Sequence, residues 1–290
     1  MRVTANMIQT QILQSMSAAQ EQFFITQRQI STTKEVSSSS DDPTRYDRSA
    51  RFRTLRARSD QFLINIEDGM SWGTATTTSL SQIHDLLSKI QTDGLNARND
   101  INAETRAITG SAIDSLLEEL VSLGNSDFGG KKIFGGTITE GIAPFTFDGS
   151  AVTYNGNTSK INRKIGEDTK MPINVTGDEF LSVFTAVINL RDGLNADDDT
   201  AIDAALEEVA AAMTEVLTVT ARAGSTQRRL ELTRDNLQVA KINLESYISQ
   251  AEDVDLAEAI LRFNSQELGF RAALESSTRI QSITILDYLR

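Results

Sequence analysis

Apolar residues recur at intervals of three and four near the amino terminus, which is the spacing of one face of an α-helix. The pattern runs through Ile8, Ile12, Met16, Ala19, Phe23 and Ile30. It ends in a polar run, residues 37–42, that Pro43 closes. Proline disfavours a helical conformation in the residue before it. We therefore predict a first helix with one apolar face, followed by a loop.

A longer pattern with the same spacing follows this loop. It comprises Phe52, Leu55, Ser59, Phe62, Ile66, Gly69, Gly73, Thr76, Leu80, Ile83, Leu87, Ile90, Gly94, Ala97 and Ile101. A heptad repeat of this length predicts a coiled-coil helix of about fifty residues, roughly 80 Å long. At Gly69 and Gly73 we expect either close approach of the partner backbone or a bend. A shorter helix should stop at Gly124.

The period changes to two between Lys131 and Val175, where short apolar segments are separated by Asp148-Gly149 and Asn155-Gly156. Asp-Gly and Asn-Gly favour tight hairpin turns, so this region predicts a β-meander.

A second long helix is predicted after Asp199. Its apolar positions are Ile202, Leu206, Val209, Met213, Val216, Leu230, Leu237, Leu244 and Ile248. Gln227, Arg234 and Lys241 take alternate positions of the same register. Polar residues at such positions weaken a coiled coil but fix its register, so this helix needs the first long helix as its specific partner. The phase breaks at residues 253–255, before a last apolar pattern that reaches the carboxyl terminus.

These elements predict a mainly α fold with a small β domain (α+β). Long antiparallel coiled-coil helices would be nested around a β-rich middle insertion, because antiparallel pairing brings both ends of the chain together. The predicted boundaries are 1–42 and 255–290 for the two helices of an inner terminal domain, 43–130 and 200–254 for the coiled-coil domain, and 131–199 for a β-rich outer domain. The pair of terminal helices is too small to be stable alone, and we expect it to become ordered on assembly.

Charge and composition exclude several classes of protein. The chain has 40 acidic and 28 basic residues and a net charge of −12, which argues against binding to a nucleic-acid backbone. It has no cysteine, so a disulfide framework and thiolate metal ligands are absent. The first residues lack the apolar core of a cleaved signal peptide, and no stretch is apolar enough to span a bilayer.

Candidate catalytic and ligand-binding residues are few. His84 is the single histidine and lies beside an apolar position of the long helix. Residues 124–132 resemble a phosphate-binding loop with a misplaced lysine, and a turn before a strand is the better interpretation. Asp197-Asp198-Asp199 suits a helix cap better than a calcium loop. Asp178 and Glu179 could be proposed as the paired carboxylates of a glycosidase. Because they are adjacent in the sequence, they do not show that two carboxylates are separated across a substrate. We predict no catalytic, cofactor-binding or metal-binding site.

Several segments resemble the family of flagellins and hook-filament junction proteins. Near the amino terminus they are residues 30–36 and 39–43, and near the carboxyl terminus residues 227–230, 236–237, 252–259 and 285–289. Residues 129–137, 143–147 and 154–156 and the ending 286–289 are closer to the junction proteins than to flagellin. Two departures are Thr33, where the family usually has glycine, and the segment 268–271.

The resemblance implies a structural junction subunit of the bacterial flagellum and no enzyme. Such a subunit would be exported through the flagellar type III apparatus, with help from a chaperone for the carboxyl-terminal helix. It would assemble outside the cell between hook-associated protein 1 and flagellin. The subunit-interface residues that the resemblance implies are Ile12, Met16, Phe23, Leu256, Ile260, Phe263, Phe270, Leu274, Ile283 and Leu286. Two alternatives are flagellin itself and, less favoured, a glycan hydrolase built on the middle domain.

The expectation that the terminal helices order only on assembly can be tested by limited proteolysis of the purified monomer. Both ends should be removed by mild protease while the middle of the chain survives, because helices without a complete core open frequently. Mass spectrometry of the fragments identifies the cleavage sites. Protection of both termini in a proven monomer would contradict this expectation.

Overall fold

A computed structural model describes residues 5–100 and 102–288, with side chains described for residue 7 and residues 10–100 and 102–278. The helices in this part of the chain are α1 (Ala5–Thr32), α2 (Pro43–Asn99), α3 (Ala103–Gly124), α4 (Ser182–Ala196), α5 (Asp199–Glu252) and α6 (Leu256–Tyr288), with a short 3₁₀ turn at Gly177–Phe180. The strands are β1 (Asp127–Phe128), β2 (Lys131–Lys132), β3 (Phe145–Phe147), β4 (Val152–Tyr154), β5 (Asn162–Lys164) and β6 (Lys170–Pro172). The predicted fold class, mainly α with a small β part, is confirmed.

The chain divides into two compact units. Unit 1 combines the two ends of the chain, Met1–Arg58 and Ala240–Arg290, and unit 2 is the continuous segment Ser59–Val239. The helices α2 and α5 each contribute residues to both units.

In unit 2, α2 and α5 pack antiparallel, and three glycines of α2 accommodate side chains of α5. A Cβ on Gly69 would lie 3.3 Å from Leu230 Cδ1, and one on Gly73 would lie 3.2 Å from Gln227 Cγ. A Cβ on Gly94 would lie 3.0 Å from Leu206 Cδ2. The residue numbers rise on one helix as they fall on the other, which is the antiparallel register. The space at Gly69 and Gly73 is thus filled by side chains, without a backbone contact or a helix break.

The predicted repeat of α2 coincides with its buried face throughout unit 2. From Ser59 to Ala97 every repeat position is buried except Phe62, which is half-buried. In unit 1 the prediction fails at Leu55, which is 45% exposed. There the helix turns Ser49 and Phe52 inward, and Phe52 contacts Tyr247 of α5 at 5.4 Å between ring centroids. The next inward position in this register is therefore Arg56 rather than Leu55.

The helices α3 and α4 complete the core of unit 2. Ile113, Leu117 and Leu120 of α3 are fully buried, and α3 ends at Gly124 as predicted. A Cβ on Gly124 would lie 2.8 Å from Phe145 Cδ2, so only glycine lets β3 approach the helix end this closely. The Asn125 side chain exchanges two hydrogen bonds of 2.8 Å with the backbone of Phe145. The Phe145 ring also contacts Phe184 of α4 at 4.7 Å.

The β region differs from the predicted meander. Its strands form three separate antiparallel pairs, β1 with β2, β3 with β4 and β5 with β6, and no sheet in the described residues has a third strand. Each strand has only two or three residues. Between the pairs, side chains replace ladder hydrogen bonds: Asn157 Oδ1 accepts from the amides of Thr137 and Ser159, and Asn174 Oδ1 from the amide of Ile161. These local bonds satisfy the backbone without a continuous sheet.

Two predicted turns are present at the expected residues. Gly129 and Gly130 connect β1 to β2 with φ angles of 60° and 78°, the left-handed values that a two-residue hairpin turn requires. Asp148 and Gly149 begin the turn between β3 and β4, where Asp148 Oδ1 accepts hydrogen bonds from the amides of Ser150 and Ala151. By contrast, Asn155-Gly156 does not join paired strands.

The end of the helix pair in unit 2 carries a cluster of charges. Asp198 Oδ1 accepts from the amides of Thr200 and Ala201 and so caps α5, as predicted. Arg106, which is 7% exposed, donates to backbone oxygens at the end of α2 and pairs with Asp197 at 2.7 Å. Arg98 pairs with Asp203 of α5 at 2.6 Å. Of these bonds, the ones from Arg106 to the carbonyls of Ala97 and Arg98 satisfy backbone oxygens in the last turn of α2, where helical partners are lacking.

A substitution in the seam tests the contribution of this core. Leu87→Ala should lower the free energy of unfolding by about 2–5 kcal/mol, because it leaves a cavity at a fully buried position. Leu95→Ala is the matched control, since Leu95 lies on the same helix and is 48% exposed; it should cost about 0.5 kcal/mol or less. Urea unfolding followed by circular dichroism measures both. Equal losses would contradict the placement of Leu87 in the core.

Candidate assembly surface

The terminal helices α1 and α6 pair within unit 1 through aromatic side chains. Phe23 of α1 stacks on Phe263 of α6 with ring centroids 4.8 Å apart, and its distance to Phe270 is 6.4 Å. Phe263 and Phe270 are seven residues apart, so both lie on the same face of α6. Offset stacking of this kind adds about 0.5–1.5 kcal/mol per pair to the burial of the rings.

The predicted interface residues fall into two groups. Those that are half-buried in the α1–α6 pair are Ile12, Met16, Phe23, Phe263 and Phe270. Those that remain exposed are Leu256 (43%), Ile260 (47%) and Leu274 (40%). The side chains of Ile283 and Leu286 lie outside the described residues. The first group therefore holds the pair together, whereas the second is available for a neighbouring molecule.

Further exposed apolar residues on the same two helices were missed in the sequence. They are Leu13 (52%) and Phe24 (55%) on α1, and Leu261 (70%) and Leu268 (69%) on α6. The seven-residue spacing of Leu261 and Leu268 is itself a helical repeat and could have revealed them. A two-helix pair cannot cover large side chains on more than one of its faces. These residues therefore extend the exposed apolar surface of unit 1.

Backbone hydrogen bonds join the two ends of the chain at one place in unit 1. We name this place the joint, and it consists of Thr33–Val36 and Glu252–Val254. The amides of Glu35 and Val36 donate to the carbonyl of Glu252 at 2.6 and 3.2 Å, and the amide of Val254 donates to the carbonyl of Thr33 at 3.1 Å. The break between α5 and α6 at residues 253–255, which the sequence predicted, thus pairs with the end of α1.

The buried carboxylate of Glu252 gives the joint its electrostatic character. Its side chain is completely buried, and Oε2 accepts from Lys34 Nζ at 2.6 Å and from the guanidinium of Arg53. Burial alone would raise the pKa of Glu252, but the hydrogen bonds from Arg53 and Lys34 and the charge of Arg53 bring it below its ordinary value. The carboxylate is therefore ionised at neutral pH. The sequence offered a signal, since Glu252 follows Ile248 by four residues and continues the seam of α5.

The loop between α1 and α2 is also fixed by specific bonds. Asp41 Oδ2 accepts from the amides of Ser37 and Ser38 at 3.0 Å each, and Arg28 pairs with Asp41 at 2.8 Å. The amide of Ser37 in particular holds the pKa of Asp41 down at about 2. Arg45 at the start of α2 donates to the Ala251 carbonyl at 3.0 Å. The polar run that the sequence predicted to be a loop is therefore an ordered turn.

A cavity in unit 2 has ionisable side chains in its lining, in a region for which we predicted no catalytic site. The cavity is about 160 Å³ and its lining includes Lys160, Glu179 and Arg222. Glu179 pairs with Lys160 and, at 2.7 Å, with Arg222. Burial raises the pKa of Glu179, but the hydrogen bond and charge of Lys160, aided by the charge of Arg222, outweigh it, so its pKa lies below the ordinary value.

This cavity does not have the features of a glycosidase site. Its volume is below the roughly 300 Å³ at which ordinary ligand pockets begin. Asp178 is exposed and does not line it, so no second carboxylate faces Glu179 across the space. The ion pairs keep Glu179 charged, which prevents it from donating a proton. His84 is half-buried on α2, away from the residues that line the cavity.

Two further observations concern ligands and membranes. In the described ranges, no group of three or more His, Asp or Glu side chains is placed to hold a metal ion. Among the helices with described residues, none combines the length and apolarity needed to cross a bilayer.

The fold and the exposed α1–α6 pair define a helical subunit with an uncovered apolar surface. Comparison with known proteins identifies the family to which this subunit belongs. Models of the bacterial flagellin N-terminal and C-terminal helical regions match residues 3–139 and 206–289. The flagellin-like protein YvzB of Bacillus subtilis is 30% identical over 183 residues, which cover 61% of this chain and 100% of YvzB. The chain therefore belongs to the bacterial flagellin family, whose members are structural components of the flagellum.

Relatives named as hook-associated proteins cover more of the chain. Flagellar hook-associated protein 3 of Escherichia coli is 25% identical over 264 residues, 88% of this chain and 82% of that protein. The same fold occurs in a flagellar hook-associated protein of Vibrio parahaemolyticus, with a TM-score of 0.68, 20% identity and coverage of 73% of this chain and 100% of the other. It also occurs in FlgL of Bacillus cereus, with a TM-score of 0.61, 24% identity and coverage of 69% and 99%.

The role of the buried carboxylate can be tested by Glu252→Gln. This change should lower the local stability of the joint by about 2–3 kcal/mol, below the full cost of breaking a buried ion pair, because Lys34 and Arg53 keep partial access to water. Because the folded-state pKa of Glu252 is lowered, its contribution is complete above its ordinary pKa of 4.5 and is lost as the pH falls through the folded-state value. Hydrogen exchange at the amides of Glu35, Val36 and Val254 measures the stability.

Glu258→Gln is the control for this prediction. Glu258 lies on α6 with its side chain 66% exposed, and it is 3.8 Å from Arg262. Its loss should change the same exchange rates by less than about 0.5 kcal/mol. The difference between wild type and Glu252→Gln should shrink as the pH falls below 4.5. A difference that does not depend on pH would show that the charge of Glu252 does not stabilise the joint.

Proposed function

We propose that this chain is a junction subunit of the hook-associated protein 3 type, which joins the hook side of the bacterial flagellum to the flagellin filament. The alternative within the family is flagellin itself. The proposal is supported by the length of the match to hook-associated protein 3 and by the same fold in several hook-associated proteins. Residues 129–137 and 286–289 add to this support, because they resemble the junction proteins more than flagellin.

The observation that carries the proposal is the uncovered apolar surface of the α1–α6 pair. Leu256, Ile260 and Leu274 expose between 40% and 47% of their surface although they belong to the regular apolar repeat of α6. Full burial of such a side chain contributes about 1.5–3 kcal/mol, so covering the part that is still exposed contributes roughly 1 kcal/mol for each residue. Repeated around a ring or tube, this gain favours subunits that cover each other's terminal helices, so the terminal domain would form the inner part of the assembly.

The partners follow from this position. On the hook side the subunit would contact hook-associated protein 1, and on the other side it would contact the first flagellin molecules. Before export through the flagellar type III apparatus, the apolar α6 would need a chaperone to cover it. We further propose that the terminal domain comprises residues 1–42 and 255–290, the coiled-coil domain 43–130 and 200–254, and the outer domain 131–199. The ten predicted interface residues would serve assembly in two ways, the half-buried ones by holding the α1–α6 pair together and the exposed ones by contacting neighbouring subunits. The chain would have no catalytic activity.

Deletion of the encoding gene tests the junction role. If the chain joins hook and filament, the strain should carry hooks without filaments and release flagellin monomers into the medium. If the chain is a flagellin, hooks in the strain should still bear any other flagellin that the cell makes. Electron microscopy of the hooks and assay of flagellin in the medium distinguish these outcomes. Normal filaments in the strain would exclude the junction role.

Complementation of this strain tests the proposed surface. Ile260→Glu should be exported but fail to restore filaments, because a charged side chain would be buried without a partner. Ile260→Leu is the matched control and should restore them, since it keeps the position apolar. Immunoblots of the medium confirm export of both variants. Full restoration of filaments by Ile260→Glu would contradict a subunit contact at this residue.

A further inference from the structure

The exposed side of α5 in unit 2 carries apolar residues opposite the side that packs on α2. Leu230, which lies beside Gly69 of α2, is 1% exposed and marks the buried side. Leu217, Leu232 and Val239 expose 52%, 59% and 60% of their surface. At about 100° per residue, these three lie roughly 140–200° around the helix from Leu230. The helix therefore has a second apolar side, which is uncovered in one molecule.

A glycine lies on this exposed side where the fold of one molecule does not require it. Gly224 is inside α5, and a Cβ built on it would meet no atom within 4 Å. At Gly69, Gly73 and Gly94, by contrast, glycine makes room for a side chain of another helix. Glycine lowers the stability of a helix interior relative to alanine, and its use there is to let another group approach closely. Gly224 therefore offers room for a side chain from outside the molecule.

Two opposite charges complete this side of the helix. We name it the outer stripe, and it consists of Gly224, Arg228, Leu232, Asp235 and Val239, whose spacing of four, four, three and four residues keeps them on one side of a helix. Arg228 is exposed and has no ion pair among the residues that the structure describes. Asp235 pairs with the adjacent Arg234 at 2.9 Å and keeps 59% of its side chain exposed. Both charges are thus accessible to a second molecule.

The outer stripe is complementary to itself when two copies run antiparallel. Arg228 and Asp235 lie equally far from the midpoint between residues 231 and 232, and so do Gly224 and Val239. A twofold axis through this midpoint therefore brings each Arg228 opposite the Asp235 of the other copy. It also brings each Gly224 opposite the other Val239, and the two Leu232 side chains meet beside the axis.

We propose that the outer stripes of two copies of this chain dock antiparallel about this axis. Opposite charges face each other on both sides of the axis, since each Arg228 meets an Asp235. The larger Val239 fills the space that Gly224 leaves, and each Leu232 covers the other. The two Glu231 side chains stay on the solvent edge of the contact, each one helical turn from the arginine of its own chain.

This contact closes on itself, because the same surface of both copies takes part in it. Subunits of a ring that are related by rotation about one axis all point in the same direction, so the antiparallel pair is not a contact within such a ring. It belongs to free subunits, which separate before they assemble. The inference goes beyond the proposed function, because the stripe lies outside the α1–α6 pair and the docking holds equally for a junction subunit and for a flagellin.

Disulfide trapping tests the contact, because the chain has no cysteine of its own. Purified full-length Leu232→Cys should form a disulfide-linked dimer under mild oxidation, since the axis brings the two copies of this position together. Leu217→Cys is the matched control. Leu217 lies on the same side of α5 and is similarly exposed, but its two copies in the docked pair would be about 44 Å apart at 1.5 Å per residue.

The Leu232→Cys chain should crosslink about tenfold faster than the control, because docking raises the effective concentration of one thiol near the other. Association through α1 and α6 would affect both chains equally, so it cannot produce this difference. Equal rates for the two chains, including no crosslinking in either, would overturn the proposal.

Charge reversal in the Leu232→Cys chain tests the register of the pair. Arg228→Asp would face Asp235 in both contacts, and Asp235→Arg would face Arg228, so each variant alone should crosslink about tenfold more slowly. In a mixture of the two variants every facing pair again has opposite charges, so the heterodimer should form as fast as the unreversed dimer. Mass spectrometry separates the three disulfide-linked species. A heterodimer that forms no faster than the two homodimers would contradict the antiparallel register.

The variant Gly224→Leu separates docking from folding. A Cβ at this position meets open space in the free molecule, so thermal unfolding should show a chain at least as stable as its parent. In the docked pair the leucine would occupy the space that Val239 fills, so crosslinking through Leu232→Cys should fall about tenfold. Unchanged crosslinking of the Gly224→Leu chain would exclude the close approach of a second copy at this glycine.

Discussion

The packing of α5 side chains against the glycines of α2 is the constraint on which the structure of unit 2 depends. At Gly94 a Cβ would come within 3.0 Å of both Leu190 and Leu206, so two helices meet α2 at the same point. Larger residues would force these helices outward and open the core. Because the side chains of α5 fit only where α2 has glycine, the shapes of the two surfaces select one antiparallel register.

Buried charges lie where neighbouring elements meet and where this apolar register cannot satisfy polar groups. Arg106 donates to the carbonyls of Ala97 and Arg98 in the last turn of α2, where helical partners are lacking. Arg191 of α4 pairs with Asp114 of α3 at 2.7 Å and donates to the Gly149 carbonyl at 3.0 Å, so it fixes the turn between β3 and β4. In unit 1, Glu252 has the corresponding role at the joint. Each buried charge therefore has partners that belong to neighbouring elements.

The sequence predicted those features that depend on local spacing. The repeat of α2, the end of α3 at Gly124 and the cap at Asp198 each follow from a few neighbouring residues. The division of the strands into three separate pairs could not be predicted in this way. Side-chain amides such as those of Asn157 and Asn174 take the hydrogen bonds that a continuous sheet would need. The inward position of Arg56 in place of Leu55, the cavity beside Glu179 and the partners of Glu252 were also missed. They depend on residues distant in sequence, which spacing along one segment does not reveal.

The conformation of Thr33 illustrates how such distant contacts act on a single residue. Its φ angle is 57°, in the left-handed region that costs a β-branched residue about 1–3 kcal/mol. The resemblance to the flagellin family implies glycine at this position, and the backbone conformation explains why. Thr33 is kept in this conformation because its carbonyl accepts from Val254 and the next residues bond to Glu252. The connection from α1 to α2 is thus a defined structure that begins where α6 begins, so both terminal helices leave from one fixed point. In the pair, Phe23 of α1 lies against Phe263 and Phe270 of α6.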